Sequence, residues 1–200
     1  MYTPSVFKNN DFDAIRLFIE KNSFGLLINT IDQKPFATHI PFLFHQKENN
    51  KNYLFGHLSK ANPQWHSFNN KEQVLVVFSG PHQYVSSSWY DHESAPTWNY
   101  IAVHVYGRIL LQSETQLRAS LALLMNKHEQ GKEAPNKLSE KYVAHHIQGI
   151  VGFEIEITEI QATEKLSQDK NEKNQQAIIK GLETANVKDQ GLIAAMKKMK

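Results

Sequence analysis

The chain alternates between apolar and polar positions in two rhythms. Over residues 11–22, Ile15, Phe18, Ile19 and Asn22 fall near one helical face, with Asn10 or Asp11 placed to cap it. From residue 24 the rhythm is that of extended chain. FGLLINT (24–30) is a β-rich run, and IDQKPF after it reads as a hairpin-like turn. PFATHIPFLFH (35–45) alternates at Phe36, Thr38, Ile40, Phe42 and Phe44 and predicts one extended strand. YLFGHLS (53–59) predicts another, and ANPQWHSF (61–68) a short helix entered through Pro63. QVLVVFSG (73–80) is a continuous apolar run, expected as a strand buried on both faces. HQYVSSSWY reads as short and extended. TWNYIAVHVYGRILLQ (97–112) is the longest strand signal, rich in β-branched and aromatic residues.

The texture then changes. Ser113-Glu114-Thr115-Gln116 is a capping box that opens a helix carrying Leu117, Leu121, Leu124 and Met125, and GKEAPNK (131–137) is expected to break it. LSEKYVAHHI (138–147) predicts a second helix. Residues 149–165 alternate at Val151, Phe153, Ile155 and Ile157, a strand with one wet face. QQAIIKGLETA and GLIAAMKKMK predict a helical tail. Strands mostly in one block with short connections imply antiparallel neighbours. The expected class is α+β, mainly antiparallel β, one sheet that closes most naturally into a barrel with peripheral helices.

Composition narrows the classes. Two hundred residues with 40% apolar and 21% charged content suit one soluble domain, or one domain with an appended element. A net charge of +2 is too small by itself to argue for a nucleic-acid binder. Without cysteine there is no disulfide, thiolate metal site or cysteine nucleophile. The first residues show no signal peptide, and no window resembles a membrane helix, so a cytoplasmic protein is expected.

Candidate chemistry concentrates between His57 and Tyr100, which hold all three tryptophans among Ser, Thr, Asn, His and Lys. Aromatic rings mixed with short polar side chains suit a pocket for a flat, polar-edged ligand. His57, Ser59, Lys60 and Asn62 lie in a strand-to-helix segment that could hold an anion on the helix N-terminus and the lysine; an ordinary capped turn is the commoner meaning. Ser86, Ser88 and Trp89 offer hydroxyls and a ring, as a ligand edge or as a solvent loop with an anchoring Trp. Alternation puts Thr97 and Asn99 on one face of a strand and Trp98 and Tyr100 on the other. For Trp98, core packing outweighs ligand contact. The ten histidines show no zinc spacing, and no metal site is expected; His39 and His82 are the best placed to face a cavity. The lysine-rich tail reads as a solvated helix rather than a DNA contact.

The sequence resembles the PaiB-type FMN-binding negative transcriptional regulators. The matching pieces are Met1-Tyr2-x-Pro4, Ala37-Thr38-His39, Gly56-His57-Leu58-Ser59-Lys60-Ala61-Asn62-Pro63-Gln64-Trp65 and Gly80-Pro81-His82. Further on they are Ser86-x-Ser88-Trp89-Tyr90, Pro96-Thr97-Trp98-Asn99-Tyr100, Val103-His104, Gly149 to Ile155 and Lys165-Leu166-Ser167-Gln168. They run in the family's order through nearly the whole chain. Departures stand at Ser87, where proline is common, and at Asp169-Lys170, where Asn-Arg is common.

The resemblance implies a split β-barrel FMN-binding domain over 1–165, a helical extension over 166–200 packed on the barrel or the partner subunit, and a homodimer with flavin sites at the subunit interface. Ser59, Lys60 and Asn62 would hold the phosphate and ribityl chain. Ser86, Ser88, Trp89 and Thr97, Trp98 and Asn99 would lie near the ring, with His57, Trp65 and His82 completing the candidate set. The implied output is repression of transcription, with DNA as a partner. The alternative is an FMN-dependent flavin reductase or oxidoreductase using NAD(P)H, or a heme-degrading variant with His57 or His82 as ligand.

Overall fold

The computed structural model describes residues 1–48, 50–68, 73–129, 138–185 and 190–198. In chain order the elements are β1 (Lys8–Asn9), α1 (Phe12–Lys21), β2 (Phe24–Ile31), β3 (Lys34–Pro41), β4 (Leu43–Gln46) and β5 (Asn52–Ser59). They continue as β6 (Gln73–Val85), β7 (Thr97–Leu111), α2 (Glu114–Glu129), α3 (Glu140–Ile147), β8 (Ile150–Lys165), α4 (Glu172–Thr184) and α5 (Gln190–Lys198). Short 3-10 turns at Pro63–Ser67 and Ser87–Trp89 flank β6. The expected break at 131–137 lies outside the described residues.

The strand order is β3-β2-β6-β7-β8-β5-β4, with β1 on β8, and β1 with β8, β2 with β3 and β6, and β5 with β4 and β8 pair antiparallel. The fold is the expected α+β class, but the sheet is open: β3 and β4 end the ladder instead of pairing. A single residue, Phe42, joins them, so the chain and not a row of hydrogen bonds links the two ends. This corrects the single strand expected over 35–45. The Phe42 amide donates to Ser23 O at 2.7 Å, and its side chain is fully buried edge-on to Phe78 and Phe153. Phe42 thus separates the two strands with its ring in the interior, held by edge-on aromatic contacts.

Two compact units divide the chain. One comprises Ile19–Phe78 and Val105–Ile160. Its interior is built on Leu27, Ile40, Phe42, Leu54, Val76, Phe78, Phe153 and Ile155. Gly25 and Gly56 leave room for those rings: a Cβ on Gly56 would stand 2.8 Å from Phe153. The capping box forms as expected, Ser113 N donating to Gln116 Oε1 at 2.9 Å. The other unit comprises Met1–Phe18, Ser79–His104 and Gln161–Lys200. Its core joins Val85, Ile101 and Leu166 to Ile178, Ile179 and Leu182 of α4 and Leu192, Ile193 and Met196 of α5. The tail helices are therefore amphipathic, with Lys173, Lys180, Lys197 and Lys198 on the exposed side.

Strand β6 is longer than expected. It passes Gly80 and Pro81 to Val85 and alternates buried and half-buried residues instead of burying both faces. A Cβ on Gly80 would meet the Phe18 ring at 2.4 Å, so the glycine serves a close approach, not a strand end. Among the described residues, no helix is long and apolar enough to cross a membrane.

Candidate functional site

The predicted site residues fall into two groups, one in each unit. In the Ile19–Phe78/Val105–Ile160 unit, His57, Ser59, Lys60, Asn62 and Trp65 stand on the end of β5 and the turn after it. The turn is closed from within. Asn62 N donates to Ser59 O at 2.9 Å, Lys60 N to Gly149 O at 2.8 Å, and Ala61 N to Ser59 Oγ at 3.3 Å. Asn62 Oδ1 accepts from Gln64 N at 2.9 Å, while its Nδ2 donates to Thr38 Oγ1 at 3.0 Å. Trp65 Nε1 donates to Lys60 O at 2.9 Å, and its ring stacks on His66.

These bonds are those of the ordinary capped turn that the segment more commonly denotes. The helix is a five-residue 3-10 turn, Pro63 has no N–H, and Asn62 caps the next one. The groups left for an anion are the Lys60 ammonium and the Ser59 hydroxyl. Lys60 is exposed, and its Nζ donates to Gln148 O at 3.4 Å. Such an ammonium gains more from an incoming phosphate than it loses from a long carbonyl contact. Asn62 shapes the turn with both ends of its amide.

His57 belongs to another surface. It lines a small cavity with Leu43, Phe55, Leu117, Ser120, Leu121 and Leu124 beneath α2. This lining carries no charge, and burial pushes the imidazole below its ordinary pKa, favouring the neutral ring.

In the other unit, β6 and β7 bring His82 and Trp98 together. Trp98 Nε1 donates to His82 Nδ1 at 3.2 Å, and Tyr84 meets the indole edge-on with centroids 6.2 Å apart. Trp98 is 48% exposed and Tyr84 44%. Core packing for Trp98 is thus overturned: alternation sends its neighbour Asn99 inward and leaves the indole outside. Both highlighted histidines stand at the surface. His82 is exposed, and His39, also exposed, stacks on Phe24 in its own unit.

Asn99 is fully buried. Its Nδ2 donates to Ser167 Oγ at 2.9 Å, its Oδ1 accepts from Ser167 Oγ at 3.1 Å, and Met196 Sδ lies 3.7 Å away. Its amide is spent on the core. Thr97 Oγ1 accepts from Lys165 Nζ. Ser86 and Ser88 bond each other at 2.8 Å, and Ser86 Oγ caps Ser88 N at 3.2 Å. Trp89 packs on α4, its indole lying over Gly181. An open groove beside it is lined by Ser88, Ala177, Lys180 and Thr184.

Two residues that meet these clusters were not among the candidates. Tyr84 was legible from its period-2 spacing to His82. Asn29, whose Oδ1 accepts from Gln64 Nε2 at 2.9 Å, was not, because the pair spans 35 positions.

Residues 1–159 match the model of the family described as "Putative FMN-binding domain". Protease synthase and sporulation protein PAI 2 of Bacillus subtilis (strain 168) is 42% identical over 186 residues, covering 92% of this chain and 89% of its own. Among solved structures, the FAD and heme binding protein from Mycobacterium smegmatis superimposes with a TM-score of 0.63 at 13% identity, over 85% of this chain and 78% of that one. The flavocytochrome Anf3 from Azotobacter vinelandii does so with a TM-score of 0.62 at 15% identity, over 79% and 69%. At such identities the likeness is one of fold.

Proposed function

We propose, since the chain belongs to the FMN-binding domain family, that it is a PaiB-type flavoprotein, a homodimer that holds FMN at its subunit interface and represses transcription. The observation that carries this reading is the 42% identity to the PAI 2 protein over nearly the whole of both chains.

The residues present fit the cofactor. Lys60 offers the phosphate an exposed ammonium, and Ser59 a hydroxyl; Asn62 fixes the turn that presents them. The Trp98 indole, steadied by His82 and Tyr84, offers an exposed aromatic face to a flat ring, and Ser86, Ser88, Trp89 and Thr97 lie in the same unit. With a flavin held where two subunits meet, as this reading has it, one chain need not serve both of its ends. Bound FMN supplies a redox-active ring. The protein's part is to hold the phosphate and shelter one ring face.

An apolar sheet face supports a second copy as partner. Phe24 is 65% exposed, and Leu26 and Ile28 of β2 share its face with their ladder partners Val77 and Leu75 of β6. In this reading 1–165 is the FMN-binding part, 166–200 is its helical extension, DNA is the regulated partner, and the cysteine-free protein works in the cytoplasm.

Lys60→Ala tests the phosphate assignment. It is expected to weaken FMN about 10-fold or more, the worth of one charge-assisted contact, without changing the unfolding midpoint. Unchanged affinity would remove Lys60 from the site. For the function, a flavin-loaded protein at twice the 23.0 kDa chain mass, retained on DNA at low salt and released as salt rises, supports the repressor. Steady NAD(P)H oxidation without DNA retention would favour the reductase.

A further inference from the structure

Gln64 is fully buried in a chain segment that otherwise runs over the surface. Its Nε2 donates to Asn29 Oδ1 at 2.9 Å, to Leu27 O at 3.2 Å and to Phe36 O at 3.4 Å. The bond to Asn29 begins a closed circuit. Asn29 Nδ2 donates to Ser67 Oγ at 2.6 Å, and Ser67 Oγ donates back to the carbonyl of Gln64 at 2.9 Å. Three side chains therefore pin both ends of the 3-10 turn Pro63–Ser67 onto β2. Each link offsets part of the cost of burying the two amides, and the loss of any one adds to a cost already carried by Gln64 Oε1, which is buried without a partner among the described residues.

The same turn is tied forward to the polar cluster. Gln64 N binds Asn62 Oδ1, and Trp65 Nε1 binds Lys60 O. Among the described residues no carboxylate holds the Lys60 stem in place; its Nζ lies 3.4 Å from Gln148 O. Its main chain is set from two sides, by Gly149 O on its amide and by the Trp65 indole on its carbonyl. A slip of the turn against β2 would carry Trp65 and Asn62 with it and move the base from which the ammonium reaches.

We infer that Gln64, acting with Asn29 and Ser67, is a positioning residue for phosphate capture: the circuit holds the Ser59–Asn62 turn in the geometry that lets Lys60 and Ser59 meet the phosphate of the flavin nucleotide. This rests on the reading of Lys60 as the phosphate contact. It predicts an effect confined to the phosphate end. Removing the circuit lowers affinity for FMN and leaves affinity for riboflavin, which has the same ring and no phosphate, where it was.

The experiment compares FMN and riboflavin binding by fluorescence quenching in the parent, Gln64→Met, Ser67→Ala and Lys60→Ala. Gln64→Met keeps the length and apolar fit of the side chain and deletes its donors. Ser67→Ala cuts the circuit at a smaller residue and carries the test should Gln64→Met not fold. The expected result is a fall in the FMN-to-riboflavin affinity ratio of about 10-fold in the circuit variants, approaching Lys60→Ala, with riboflavin affinity unchanged. A ratio that falls in Lys60→Ala but not in the circuit variants overturns the positioning role alone. Equal losses for both ligands also overturn it, since a merely structural residue would act that way. A ratio unmoved by Lys60→Ala overturns the phosphate reading and the inference with it.

Discussion

Lys60 and Asn62 are two positions apart and meet opposite fates. One ammonium is left outward with a long carbonyl contact, and one amide is consumed at both ends. Residue type alone suggested the same role for both; the division depends on Thr38, 24 positions away. His57 shows the same limit. Its place in the motif suggested a ligand contact, yet its ring lies against uncharged side chains beneath α2. That burial has a measurable consequence. The folded-state pKa of His57 lies below its unfolded value of about 6.5. The stability linked to it is therefore fully present above that value and is lost as pH falls below it, when the unfolded chain takes up a proton that the folded one refuses. His104, also lowered by burial with the Met1 ammonium adding to it, acts in the same direction. Denaturant unfolding should show stability falling between about pH 7.5 and pH 5.5, with a shallower fall in His57→Gln. An identical slope in the variant would mean that His57 titrates freely.

At the scale of elements, most of the fold was legible. α1, the capping box opening α2, the alternating β8 and the tail helices stand where spacing put them, because each of those signals is local. Differences arose where contacts distant in sequence matter: Phe42, packed on Phe78 and Phe153, divides one expected strand into two, and Phe18 lies where a Gly80 side chain would have stood. Gly181 is a similar case inside α4. By helix propensity alone, Gly181→Ala would stabilise the protein by roughly 1 kcal/mol. The added Cβ would stand 2.4 Å from Trp89 Cδ2, an overlap the packed core cannot relieve cheaply. Overpacking of that kind costs about 1–3 kcal/mol, so the substitution is expected to be destabilising. In a Trp89→Ala background the same change should become neutral or stabilising, a reversal that thermal unfolding of the four variants would show. Additive effects would place the indole away from the helix.

Across the whole molecule, the strand order was beyond the sequence. β6 beside β2 and β8 beside β5 are pairings between segments far apart in the chain, and period-2 spacing says nothing about which strands meet. What carried the reading of the flavin was a run of specific residues, above all Gly56 to Trp65, and the family match over 1–159 agrees with it. The structure adds the physical content: a turn held by its own side chains together with Thr38 and Gly149, an exposed ammonium with one long contact to Gln148 O, and an exposed indole whose N–H is bonded to His82. The most direct test of this account is a fluorescence titration of flavin-free protein with FMN. The account predicts saturable quenching that reaches one FMN per chain and a weaker curve for Lys60→Ala. Fluorescence that rises in proportion to added FMN, with no saturation, would contradict it.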